Sequence, residues 1–231
     1  MDMQLLSGKR VAVIAEHKFI PEEFDAYRYN FALLGMEVDF ISRLWYGDYK
    51  PGHPSWKSPV FYGDVDPSDN DPWQGPNKIQ LGDNMDVSQV RLEDYDAIIM
   101  SANYVSVRLR YTEMTDASSA REFVQSAPVP RLFAQAMARK GLVKGALCHG
   151  LWALTPFPEL LSGRKVTCHT VVMADILNCN ADIQFESDGS GAMAPCKVVV
   201  DDDLVTGFSK HEVVPFIRAI ANQIAARAAR N

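Results

Sequence analysis

A cysteine and a histidine stand side by side in "KGALCHGLWAL", residues 144–154, and the same pair recurs as Cys168-His169. A cysteine next to a proton carrier is the smallest set that does nucleophilic chemistry on a carbonyl: sulfur forms the bond and a neighbour moves the proton. The first pair has the better setting. Gly145 and Gly150 leave room for a tight strand-to-helix turn, the logic of the G-x-S-x-G elbow, with Ala146 in place of the first glycine. Such a turn puts Cys148 near a helix N-terminus, which favours thiolate over thiol. The N–H that follows, on His149, points toward a developing oxyanion. The competing reading is a core thiol, since free cysteine is among the most buried residue types. Cys168-His169 lacks flanking glycines and reads as structural, with His169 at most lining a pocket.

These residues need a frame. "KRVAVIA" (9–15) is a β-branched run suited to a strand buried on both faces. In "PEEFDAYRYNFALLG", Pro21 suits the first helical turn, Glu22 and Glu23 complement its positive end, and Gly35 suits the stop. "MEVDFIS" (36–42) follows as a second strand, completing a βαβ unit and so a parallel sheet. Residues 44–92 break the rhythm: they are rich in Pro, Gly, Asp and aromatics, the mark of a functional loop, a satellite core or a subunit contact.

The rhythm resumes with "YDAIIMS" as a strand, "DASSAREFVQS" and "PRLFAQAMARKG" as helices, and "LVKGALC" as the strand that ends in Cys148. "GLWALTPFPELL" reads as a helix made irregular by two prolines, "KVTCH" as a short strand and "VVMADILNCN" as a helix. "DIQFES" and "CKVVVDDDLVTGF" read as strands, with Asp201–Asp203 at a turn. Ser209 and Glu212 match the S-x-x-E capping box of a closing helix. The expected architecture is α/β, one domain over 1–231 with a β hairpin near its C-terminus and an insertion at about 45–92. Ligands of such sheets bind beyond the carboxyl ends of the strands, where Cys148 falls.

Composition removes several classes of partner. The net charge of −6 disfavours a phosphate-coating surface and an anionic membrane. No apolar stretch approaches the ~20 residues of a membrane span, and no targeting signal is evident at the start. The four cysteines lack C-x-x-C spacing and read as free thiols in a reducing cytosol. His17, His53 and His211 are scattered without ligand spacing, so no metal is expected.

"ALCHGLWAL" with "LLSGRKVTCHTVVMADILNCNADI" resembles the elbow and following strand–helix of the ThiJ/PfpI superfamily. That superfamily takes in Parkinson-disease protein seven, bacterial intracellular proteases/amidases and glutamine-amidotransferase-like proteins. "KRVAVIAEHKFIPEEFDAYRYNFALLGMEVDF" is similar to its first βαβ, "YDAIIMSANYVSVRLR" to its third strand and oxyanion loop, and "VVVDDDLVTGFSKHEVVPFIRAIANQI" to its closing hairpin and helix. The resemblance covers most of the chain except roughly 45–90. It implies a flavodoxin-like sandwich, no organic cofactor and a homodimer or higher homo-oligomer. It also implies Cys148 as nucleophile, Glu23 as the glutamate that contacts its sulfur, and His149 as base, oriented by an acid from a neighbouring subunit.

A carboxyl beside a thiolate is a like-charge pair, so Glu23 is expected to hold a raised pKa; alone it would read as a solvated first-turn acid. Where the family has Pro-Gly-Gly, this chain has Ser101-Ala102-Asn103. Asn tolerates positive φ, so the Asn103 N–H can still serve the oxyanion, with Ala102, Tyr104 and Arg108 as further candidates to bind substrate. The expected function is a cytoplasmic cysteine enzyme acting on a carbonyl or amide of a small molecule. Amidase or peptidase chemistry and glyoxalase or deglycase chemistry on 2-oxoaldehydes both fit. The alternative is a non-enzymatic redox sensor or chaperone-like stress protein using an oxidisable Cys148.

Overall fold

The computed structural model describes residues 3–44, 60–64, 78–112, 116–187 and 189–230. Strand β1 (Arg10–Ile14) is apolar beyond its first residue and buried. Helix α1 (Pro21–Leu33) starts on Pro21 and gives way to Gly35 at φ 76°, a conformation only glycine adopts freely. Strand β2 (Glu37–Ile41) pairs parallel with β1. The described part of the insertion contains a short antiparallel pair, β3 (Val60–Tyr62) and β4 (Lys78–Gln80). Phe61 and Ile79 are buried there and join the main hydrophobic core; residues 45–59 and 65–77 lie outside the described residues.

Strand β5 (Ala97–Met100) is followed by α2 (Val105–Leu109), α3 (Ala120–Gln125) and α4 (Pro128–Met137). Then come β6 (Val143–Leu147), β7 (Lys165–Val166), α5 (Thr170–Asn178), β8 (Asp182–Ile183), β9 (Phe185–Ser187), β10 (Met193–Pro195), β11 (Val198–Asp201), β12 (Leu204–Gly207) and α6 (Val213–Ala228). The main sheet has the order β11-β12-β6-β5-β1-β2. All its pairs are parallel except β11 with β12. This is the α/β architecture expected, with a central parallel sheet and a closing hairpin.

The packing follows from side-chain size. Helix α6 lies on β6, β11 and β12, and α1 packs against it. A Cβ on Gly145 would come within 2.8 Å of Ile220 and Phe216, so glycine lets α6 approach the central strand. At the opposite end from Cys148, the wholly buried Lys144 donates to Asp203 at 2.5 Å and to the Arg139 carbonyl at 2.6 Å, while Arg164 bonds Asp201 and Asp203. The acidic turn after β11 is therefore also an electrostatic staple, each buried charge meeting an opposite one.

Two elements differ from expectation. Residues 150–161 do not form one helix; they form 3-10 turns at Gly150–Leu154 and Pro158–Leu160. Pro156 and Pro158 remove the N–H donors that an α-helix would need there. The "KVTCH" strand is only two residues long and pairs with β8 outside the main sheet.

Candidate active site

Cys148 follows directly on β6 with φ 59°, the left-handed region that costs a non-glycine residue ~1–2 kcal/mol. Three contacts hold it there. Its N–H donates to the Gly207 carbonyl at 2.8 Å, its carbonyl accepts from the His169 N–H at 3.1 Å, and the next carbonyl, of His149, accepts from Ser106 Oγ at 2.9 Å. A Cβ on Gly150 would stand 2.8 Å from the Met100 carbonyl oxygen, so the turn also requires glycine at that position. Strain is stored at the one residue whose side chain must point out of the sheet end.

The consequence is a direct side-chain contact. Cys148 Sγ lies 2.9 Å from Nδ1 of His149. Adjacent residues on a strand face opposite ways, so this pairing exists only because the left-handed turn folds the chain back. The N–H groups of Asn103 and His149 are also directed at the sulfur. Asn103 itself has φ 65°, the positive-φ geometry expected at that position. Its side-chain amide is spent elsewhere, donating to the Lys18 carbonyl at 2.7 Å and to Asp64 at 3.0 Å.

Glu23 is 1% exposed, which overturns the picture of a solvated first-turn acid. Its carboxylate accepts from Tyr27 O–H at 2.7 Å and from the Ala102 N–H at 3.0 Å. It lies close enough for its charge to push the Cys148 pKa upward, but its hydrogen bonds are to Tyr27 and Ala102 rather than to sulfur. Burial raises Glu23 to about 7 against the lowering effect of those two donors. The like-charge logic is thus secondary to desolvation.

The expected standing thiolate is corrected. Burial pushes the Cys148 thiol up to about 12, against the N–H groups of Asn103 and His149, while burial and then His169 push His149 down to about 4. The element after Cys148 is a five-residue 3-10 turn, too short to supply the helix field that was to acidify the thiol. At neutral pH the resting pair is a thiol facing a neutral imidazole, with the sulfur within hydrogen-bond reach of Nδ1.

The cleft has a volume of about 570 Å³, within the range of small-ligand sites. Cys148, only 7% exposed, opens onto it together with His149 and His169. The His149 ring stacks on His169 at 5.1 Å and 17°, with Trp152 at 5.3 Å and Tyr104 at 5.8 Å on other sides. His169 accepts the Val171 N–H at Nδ1, capping α5.

Other candidates fall outside the cleft. Ala102 is fully buried, with its N–H committed to Glu23, so it supports the loop rather than touching substrate. Arg108 points to Glu16, 3.7 Å away, and does not line the cleft. Tyr104 is 53% exposed and reaches the site only through the His149 ring. Asp64 and Phe208 to Lys210 also line the cleft, and the sequence alone did not mark them as site residues. The position of 208–210 just past the carboxyl end of β12 was the signal for them. Among the described residues no group of His, Cys, Asp or Glu is placed to hold a metal ion, and no helix is long and apolar enough to cross a membrane.

Residues 117–223 match the model of the DJ-1/PfpI family. No curated protein matches the chain. Among solved structures, a two-domain protein from Anabaena variabilis containing DJ-1/ThiJ/PfpI-like and ferritin-like domains is 18% identical with TM-score 0.66 over 94% of this chain. The match covers 48% of that protein, so the chain spans about half its length. A ThiJ/PfpI domain protein from Brachyspira murdochii is 15% identical with TM-score 0.66, covering 95% of this chain and 98% of that one. Drosophila melanogaster DJ-1beta is 15% identical with TM-score 0.64, covering 96% and 95%. At these identities the likeness is one of fold.

Proposed function

We propose that the chain belongs to the ThiJ/PfpI superfamily, a reading supported by the family match over residues 117–223 and by these neighbours, and that it is a cysteine-dependent hydrolase of a small amide or ester. The observation that carries this reading is the 2.9 Å contact between Cys148 Sγ and His149 Nδ1 at a left-handed turn opening on the cleft.

In the first step the thiol proton passes to His149 Nδ1 as sulfur bonds to the carbonyl carbon, and the C=O electron pair moves onto oxygen. The N–H groups of Asn103 and His149 stabilise that oxyanion. The oxyanion then collapses, the bond to the leaving amine or alkoxide breaks, and the imidazolium returns its proton to the leaving group. A water attacks the resulting thioester with His149 again as base, the C–S bond breaks, and sulfur recovers a proton. Glu23 shapes the loop through the Ala102 N–H rather than moving this proton.

Glyoxalase-type chemistry has less support. After sulfur adds to a 2-oxoaldehyde, a second base must shift a proton between carbons, and the buried Glu23 is already held by Tyr27 and Ala102. The redox-sensor alternative also weakens, because it needs an exposed, acidic thiol and Cys148 is neither. A homo-oligomer belongs to the proposal as well: no carboxylate bonds the His149 ring among the described residues, leaving room for an orienting acid from a second subunit.

The test is a panel of small amides, esters and 2-oxoaldehydes with wild type and Cys148→Ser. Turnover of amides or esters that disappears in the variant supports the reading. Turnover of 2-oxoaldehydes alone, or activity surviving Cys148→Ser, overturns it.

A further inference from the structure

The charges that line the cleft are sorted across the sheet. Lys210 and His211 follow β12 on one side, Glu22 and Asp64 stand on the β1–α1 side, and Cys148 follows β6 between them. Asp64 is already paired with Lys18 and Asn103. Glu22 and Lys210 are not: among the described residues neither side chain has an ion pair or hydrogen bond, and both line the cleft. They are also not paired with each other. The order β12-β6-β5-β1 puts the element that carries the basic groups and the one that carries the acidic groups on opposite sides of the line of Cys148.

Two uncommitted charges of opposite sign at the ends of a cleft, with the nucleophile between, select a ligand of matching polarity. Resting on the hydrolase reading above, we propose that the substrate is a short zwitterionic amide of di- to tripeptide size. Its carboxylate lies against Lys210, with His211 beside it; its free ammonium group lies toward Glu22; the scissile carbonyl lies over Cys148. The cleft volume of about 570 Å³ holds a molecule of that size but not a folded chain.

Binding tests the polarity without requiring turnover. Calorimetry on Cys148→Ser protein at low ionic strength compares trialanine with its N-acetyl form, its C-terminal amide and the doubly capped peptide. Trialanine is expected to bind about fivefold more tightly than either singly capped form, the scale of one partly exposed ion pair. Adding Lys210→Met should abolish the difference between trialanine and its C-terminal amide alone, and adding Glu22→Gln the difference between trialanine and its N-acetyl form alone. Doubly capped peptide binding as well as trialanine, differences that survive both substitutions, or no binding by any of the four overturns the proposal. Amine release by wild type separates the two readings. Equal turnover of zwitterionic and doubly capped peptides sinks the polarity and leaves the hydrolase standing; charge-selective binding without turnover does the reverse.

Discussion

Glu23→Gln removes a carboxyl that is wholly buried and whose pKa is lifted from the ordinary 4.5 to about 7, chiefly by burial. Because the folded value is the higher one, the folded chain holds this proton more tightly than the unfolded chain. Between pH 4.5 and 7 the unfolded carboxyl has ionised while the folded one has not, so wild-type stability falls as pH rises through that window. The separation corresponds to about 3 kcal/mol, fully developed above pH 7. A glutamine does not titrate, and its carbonyl oxygen still accepts from Tyr27 or Ala102; its NH₂ group replaces one acceptor and costs about 1 kcal/mol.

The variant should therefore be about 1 kcal/mol less stable than wild type near pH 4.5 and about 2 kcal/mol more stable near pH 8. Urea unfolding followed by tryptophan fluorescence, at half-unit pH steps for both proteins, gives the difference directly, since titrations common to both cancel. A difference that stays constant with pH, or that moves in wild type's favour as pH rises, would falsify the assignment of a buried, proton-holding Glu23.

Other consequences are open to measurement. The kcat/KM of amide or ester hydrolysis should be level around neutrality and decline as pH falls toward about 4, where His149 gains its proton and ceases to be a base; a decline centred near 6.5 would contradict the buried, neutral imidazole. Iodoacetamide should alkylate Cys148 slowly at pH 7 and faster with rising pH, with no plateau below pH 9, because burial holds the thiol high; mass spectrometry of the modified peptide reads this out. Asn103→Ala should cost about 1 kcal/mol through its φ of 65° and lower kcat, whereas Asn103→Gly should retain kcat within a fewfold while losing the ties to Lys18 and Asp64. Gly150→Ala brings its Cβ against the Met100 carbonyl, which cannot swing aside, and should lower stability by about 1–3 kcal/mol in a denaturation assay.

The α/β frame was legible because its signals are local. A β-branched run such as "KRVAVIA" buries both faces wherever it sits, Pro21 and Gly35 bracket a helix by their own backbone limits, and Ser209 with Glu212 closes its box within four residues. The strand-end position of Cys148 followed from that frame. The irregularity at 150–161 was legible but its form as two 3-10 turns was not, because proline content signals an interruption without saying how the chain reroutes.

What lay beyond the sequence depended on neighbours that are distant along the chain. Whether Glu23 is solvated or buried is decided by Ala102, 79 residues away, donating to it; whether Arg108 serves substrate or Glu16 is decided by a carboxylate that lies 92 positions earlier in the chain. The ionisation of Cys148 lay beyond it for the same reason: type and position suggest a field that acidifies a thiol, but the desolvation that outweighs it arises only when the packed sheet ends close around the sulfur. Residue types and spacing thus determined that a thiol and an imidazole would stand together at the carboxyl edge of a parallel sheet. Only the assembled fold, by controlling which groups lose water and which gain partners, determined their charge and their mutual geometry.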